Sequence, residues 1–161
     1  MDDVRAYSVL TKPLVDELLR RNMAVVLGVI PRDLEKDALI VNYLLEIREN
    51  LKVEIAQHGT HHDESDITIT KPILLDGNKK IQELLGVLPV TYIPPFNDIS
   101  DAAKEGISEY FKVISGGEGI FKSGSRVAEM GYTVQMYDYQ DRIVTSVETI
   151  VSKCKDSLSR T

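Results

Sequence analysis

The sequence contains no tryptophan, one cysteine and three histidines in 161 residues. The lone cysteine, Cys154, excludes an intramolecular disulfide and gives no support for an oxidising compartment. It sits in VSKCKDS without a neighbouring base to activate it, and reads as a bystander rather than a nucleophile. No stretch approaches the ~20 apolar residues of a membrane span. The first residues, MDDVRAYS, lack the basic start and apolar centre of a secretory signal. Basic residues are outnumbered, 19 against 25 acidic ones, for a net charge of -6. A nucleic-acid footprint needs a basic stripe instead. These absences predict a cytoplasmic protein with no nucleic-acid or membrane partner, and they leave the oligomeric state open.

What is present is an ordinary globular composition, 43% hydrophobic and 27% charged. The length predicts one domain over residues 1–161, large enough to bury a core without help from a metal. Residues 10–21 have helical spacing, with Thr11 as N-cap and Pro13 in the first turn. MAVVLGVI, 23–30, reads as a strand buried on both faces. Residues 35–50 return to helical spacing. LKVEIAQ, 51–57, alternates, with Leu51, Val53 and Ile55 on one side. Helices are predicted over 74–86, ended by Gly86, over 100–111, capped by Ser100, and from Asp141 to about Leu158. Strands are predicted at 90–93, 112–115 and 132–138. GGEGIFKSGS matches neither glycine-rich phosphate motif and reads as a connection. Alternating strands and helices predict an α/β fold with a parallel sheet. Ligands then bind at the carboxyl ends of the strands.

All three histidines fall in one such segment, EIAQHGTHHDES. His58 and His62 are four apart, so one helical turn after the strand would put both rings on one side. Gly59 permits the sharp change of direction. Two imidazoles can share a metal ion with a third ligand from elsewhere. Asp2, Asp3, Asp33, Asp63, Asp66, Asp98 and Asp138 are the candidates. The same donors suit a two-histidine, one-carboxylate iron site. His61 lies between the two candidates and is expected to face solvent. Asp63, Glu64 and Asp66 are expected either to hydrogen-bond a ligand imidazole or to form a solvated acidic loop.

The run His58-Gly59-Thr60-His61-His62 resembles the metal-binding motif of the polysaccharide deacetylases, the nodulation-type carbohydrate esterases. An Asp-Asp pair in MDDV and the segment YIPPFND match two further motifs of that family in order and rough separation. The resemblance spans residues 2 to about 140. It implies a distorted parallel (β/α) barrel, shortened at its start, and a divalent cofactor, most often zinc. Carried over, the metal ligands are Asp3, His58 and His62, and Asp2 is the general base. Pro94, Pro95, Phe96 and Tyr92 line the substrate groove. The implied reaction removes an acetyl group from an N-acetylated sugar or related amide. The alternative is a catalytically weak relative that binds carbohydrate or a protein partner.

Three departures from the family pattern carry expectations of their own. Only Met1 precedes the Asp pair, so Asp2 and Asp3 are expected on a loosely held terminus, and an upstream strand or export signal is expected if the chain start lies earlier. Ile93 stands where the family has an arginine that orients the catalytic aspartate. No histidine follows His62, so Asp138, or Tyr137 beside it, takes the place of the family's late acid.

Overall fold

The computed structural model describes residues 1–118, 128–132, 137–138 and 143–144, together with positions 146, 148–149 and 152. Five strands form one parallel sheet in the sequential order β1 (Val25–Val29), β2 (Val53–Gln57), β3 (Thr91–Tyr92), β4 (Val113–Glu118) and β5 (Ala128–Tyr132). Sequential pairing is the arrangement of a barrel wall, without the reversal of a doubly wound sheet. Helices α1 (Thr11–Arg20), α2 (Ala38–Ile47), α3 (Lys71–Leu85) and α4 (Asp101–Ile107) lie before or between the strands. Cysteine 154 lies outside the described residues.

Most boundaries follow from capping chemistry. The Asp37 carboxylate accepts from Leu39 N at 3.1 Å and Ile40 N at 3.3 Å, so α2 starts at residue 38 after a 3-10 turn, not at 35. Ser100 Oγ accepts from Ala103 N at 3.2 Å, as its position predicts. Gly86 ends α3 in the left-handed region (φ 68°) and donates to Gln82 O. Thr11 is not a cap: it is the first residue of α1, with its hydroxyl buried and unpartnered.

Three strand and helix expectations are corrected. Residues 132–138 are not one strand. The fifth strand of the sheet is Ala128–Tyr132, and Tyr137–Asp138 (β6) pairs antiparallel with Ile143–Val144 (β7) in a separate two-stranded sheet. A helix therefore does not begin at Asp141. Leu51, expected inside, is fully exposed because β2 begins two residues later.

The sheet has two unlike faces. Val25, Leu27 and Val29 of β1 and Ile55 of β2 join Val15 of α1, Ile40, Tyr43, Leu44 and Ile47 of α2, and Ile81 and Leu85 of α3 in one core cluster. A second cluster joins Tyr92 of β3 and Ile114 of β4 to Leu74 of α3, Ala103 and Ile107 of α4, and Phe111. Burying such side chains contributes roughly 1.5–3 kcal/mol each. The alternate residues point the other way, because strand side chains change face at every step. They are Val26 and Gly28 of β1, Glu54 and Ala56 of β2, and Thr91 of β3. Val26 is 37% exposed while Gly28 on the same face is buried, so β1 is buried on both faces only toward its carboxyl end. Thr91 Oγ1 donates to Glu54 Oε1 on this second face. Helices on one side and small or polar residues on the other make the second face the inner wall of a partial barrel. The candidate site sits at its carboxyl end.

Candidate metal centre

The segment before α1 is tied to the sheet. Val4 forms a parallel bridge with Val29, Gly28 N donates to Met1 O (2.7 Å), Val4 N to Gly28 O (3.0 Å) and Ile30 N to Val4 O (2.9 Å). Val4 itself is fully buried in the first core cluster. This overturns the expectation of a loosely held Asp pair: main-chain bonds and an apolar anchor fix residues 1–4 beside β1. Gly28 makes the close approach possible. A Cβ there would lie 3.2 Å from Asp2 Oδ1, 3.3 Å from Asp2 Cα and 3.1 Å from Ile93 Cδ1. An isolated glycine in an apolar strand is a sequence signal for such a crossing.

The histidine loop leaves β2 without a helical turn. Gly59 (φ 64°) and His62 (φ 57°) both occupy the left-handed region, and this tight bend, not helical spacing, brings the rings together. The His58 and His62 ring centroids are 4.8 Å apart at 63°. Any side chain at Gly59 would be strained, since a Cβ would lie 2.5 Å from Pro95 Cγ and 2.6 Å from Asp66 Oδ2. Thr60 is buried under the loop, donating to Ile73 O at 2.9 Å and accepting from Gln57 Nε2 at 3.2 Å, so the loop rests on α3.

Asp3, His58 and His62 converge. One ligand atom from each lies within 4.8 Å of the others, and His62 Nε2 stands 3.2 Å from Asp3 Oδ1. Asp3 is also in the left-handed region (φ 59°), which turns its carboxylate toward the rings. His58 is 4% exposed. Its Nδ1 lies 2.9 Å from Ile93 O. A carbonyl only accepts, so Nδ1 carries the proton and Nε2 keeps its lone pair. That is the tautomer and orientation a carbonyl partner gives a ligating histidine. Burial pushes the His58 pKa below the ordinary 6.5, opposed by the bond to Ile93 and the charges of Asp2 and Asp3, so the ring is held neutral.

A pH prediction follows. With the folded-state pKa depressed, the unfolded chain takes up a proton at His58 below pH 6.5 while the folded chain does not. Stability from this residue is intact above pH 6.5 and falls as the pH drops toward the folded-state value. Urea melts of the metal-free chain between pH 7.5 and 5 should show that decline, with a shallower slope in His58→Gln.

The other site residues divide. Pro94 and Pro95 are buried, and Phe96 is 57% exposed with its ring 5.0 Å from that of His62, so it forms an open wall of the site. Tyr92 is fully buried on the opposite face, its ring 5.5 Å from Phe111, which takes it out of any stacking role with a ligand. Ile93 places an apolar side chain beside Asp2 where a cationic partner was the family expectation. Asp138 does not end a strand of the parallel sheet, and its side chain lies outside the described residues. His61 is half-buried and aromatic contact with the two rings is confined to His62, His58 and Phe96 among the described residues. Asp63 is not bonded to an imidazole: it caps the following turn at Ser65 N (3.0 Å) and lies 3.6 Å from Arg32 Nη1. Asp66, read as an imidazole partner or a solvated residue, is neither. It is fully buried and accepts from the backbone N–H groups of Thr60 (2.9 Å), His61 (3.0 Å) and His62 (2.6 Å). No motif marks it.

A carboxylate from the segment beside β1 and two imidazoles that follow β2 define a candidate metal centre on an α/β scaffold. Comparison with solved structures specifies the scaffold. No protein-family model and no curated protein matches the sequence. Among structures, a de-N-acetylase from Aggregatibacter actinomycetemcomitans is similar at a TM-score of 0.65 and 15% identity, covering 92% of this chain and 72% of that one. A family 4 pseudoenzyme from Bacillus anthracis is similar at 0.60 and 9%, covering 89% and 44%. A family 4 acetyl xylan esterase from Clostridium thermocellum, in complex with a cobalt ion, is similar at 0.56 and 21%, covering 73% and 55%. This chain covers roughly half the length of several of the solved structures it matches. Its fold is that of the polysaccharide deacetylases, as the three motifs implied. Among the described residues, no helix is long and apolar enough to cross a membrane.

Proposed function

We propose that this chain is a metal-dependent hydrolase that removes the acetyl group from an N-acetylated sugar or a related small amide. The observation that carries the reading is the convergence of Asp3, His58 and His62 within 4.8 Å, with the Asp2 carboxylate beside them over Gly28. The donor set fits zinc or a similar divalent ion. It combines one oxygen and two nitrogen donors, and three protein ligands leave a position open. The tetrahedral edge expected for bonds of ~2.0–2.1 Å is about 3.4 Å, close to the 3.2 Å between Asp3 Oδ1 and His62 Nε2. Among the described residues no lysine or arginine pairs with Asp3, whose Oδ1 faces His62 Nε2 at 3.2 Å.

Asp3, His58 and His62 would hold the ion. When bound, it supplies a water acidic enough to ionise near pH 7 and polarises an acyl carbonyl. Asp2 would serve as the general base beside the site, accepting a proton from the attacking water. Ile93 O keeps His58 in the ligating tautomer. Phe96 offers an exposed ring for a sugar face, and Pro94 and Pro95 fix that ring relative to His62. Acetate and a free amine are the products.

The second reading is a deacetylase-like domain that binds carbohydrate without turnover. Ile93 favours it, because an apolar side chain lies with Asp2 over Gly28 where the family expectation is a cation that orients the aspartate. A structural neighbour that is a pseudoenzyme shows that the scaffold persists without activity. One experiment separates the two: metal content of the purified chain, then acetate release from N-acetylglucosamine oligomers with and without a chelator. About one zinc or cobalt per chain with chelator-sensitive acetate release supports the hydrolase. Metal binding with no acetate from any oligomer supports the binding domain.

A further inference from the structure

We infer that Asp66 is a positioning residue, whose buried carboxylate sets His62 opposite His58 and so preforms the site. The inference deepens the reading above and rests on it only for the metal readout. A loop whose residue 62 sits at φ 57° needs something to hold it there, because the left-handed region is strained for a non-glycine residue. The loop cannot use strand pairing at Thr60, His61 and His62, since their three N–H groups all point inward at one side chain. Asp66 Oδ1 takes Thr60 N, and Oδ2 takes both His61 N and His62 N, the last at 2.6 Å. Charge-assisted bonds of this kind are roughly twice as strong as neutral ones.

The carboxylate is itself locked. It is fully buried, and its own N–H donates to Asp63 O at 3.0 Å. A Cβ at Gly59 would lie 2.6 Å from Oδ2 and 2.5 Å from Pro95 Cγ, so loop, carboxylate and the Pro-Pro segment interlock at a point where only glycine fits. The chain thus runs from Asp66 to the His62 backbone, from His62 to Asp3 at 3.2 Å, and from His62 to the Phe96 ring at 5.0 Å. Asp66 touches neither candidate substrate nor candidate metal, and acts through the loop backbone. Preorganisation of this kind separates a metal site from three nearby donors.

Asp66→Asn keeps the shape but not the acceptors. Whichever way the amide turns, its NH2 faces at least one of the three N–H groups. The test uses NMR on the metal-free chain, so it does not depend on the proposed function. In the wild type, the amides of Thr60, His61 and His62 should exchange slowly for a loop, and the His58 and His62 rings should show a mutual NOE. In Asp66→Asn, exchange should accelerate at these amides and the NOE should weaken or vanish. Cobalt titration should show about 10–100-fold weaker binding, the usual loss for a partner outside the ligand set. Leu44→Ala, in the first core cluster, controls for lost stability: it should lower the melting temperature and leave the NOE and cobalt affinity unchanged. Unprotected amides in the wild type, or an unchanged NOE in Asp66→Asn, overturns the inference. An NOE lost in the variant while wild type binds no cobalt upholds it and removes the metal reading alone.

Discussion

His58→Ala should abolish stoichiometric zinc or cobalt binding, weakening it by more than about 100-fold. Partners outside the ligand set are worth 10–100-fold, and a ligand must be worth more. His58 is the most buried of the three candidate donors, and its Nδ1 is committed to Ile93 O at 2.9 Å, so it is the donor with the least freedom to be replaced by a neighbour. Elemental analysis after dialysis and a cobalt titration followed by visible absorption would measure the loss. The same variant leaves a cavity against Ile93, so circular dichroism must show that the fold survives. Retention of one ion per chain in folded His58→Ala would place the metal elsewhere and dissolve the centre described here.

The second large effect separates the two adjacent aspartates. Asp3→Asn should lose the metal and with it all acetate release. Asp2→Asn should keep the metal within a few-fold and lose turnover by about 10²–10⁴, the usual worth of a general acid or base. The structural ground is that Asp3 reaches His62 at 3.2 Å while Asp2 lies over Gly28 beside Ile93. Metal content and initial rates of acetate release, measured on both variants, decide it. Equal loss of metal in both would mean that the pair acts as one chelating unit. Full turnover in Asp2→Asn would move the base to another residue.

Much of the scaffold was legible because it rests on local chemistry. Gly86 stopped α3 and Ser100 capped α4 through bonds within a few residues, and the apolar run at 23–30 marked β1 by composition, although its ladder bonds go to β2. The carboxyl ends of β1, β2 and β3 were therefore legible, and with them the points from which the segments carrying His58, His62 and Phe96 leave the sheet. Readings failed where a distant partner decides. Thr11 has a capping side chain but lies where the fold buries it. Tyr92 is aromatic and adjacent to the Pro-Pro segment, yet strand alternation turns it into the core beside Phe111. Residues 132–138 carry strand composition, but their pairing partners determine which sheet takes which part.

By itself, the sequence determined which donors exist, that two of them follow a strand, and that a strand-helix alternation would gather strand ends on one side. Only the tertiary structure decided that the Met1–Val4 segment lies alongside β1, that a missing side chain at Gly28 admits Asp2, and that a buried Asp66 bends the histidine loop. These are contacts between segments tens of residues apart or between a carboxylate and three backbone N–H groups. Side-chain identity and spacing encode neither, because both depend on where the chain returns after folding.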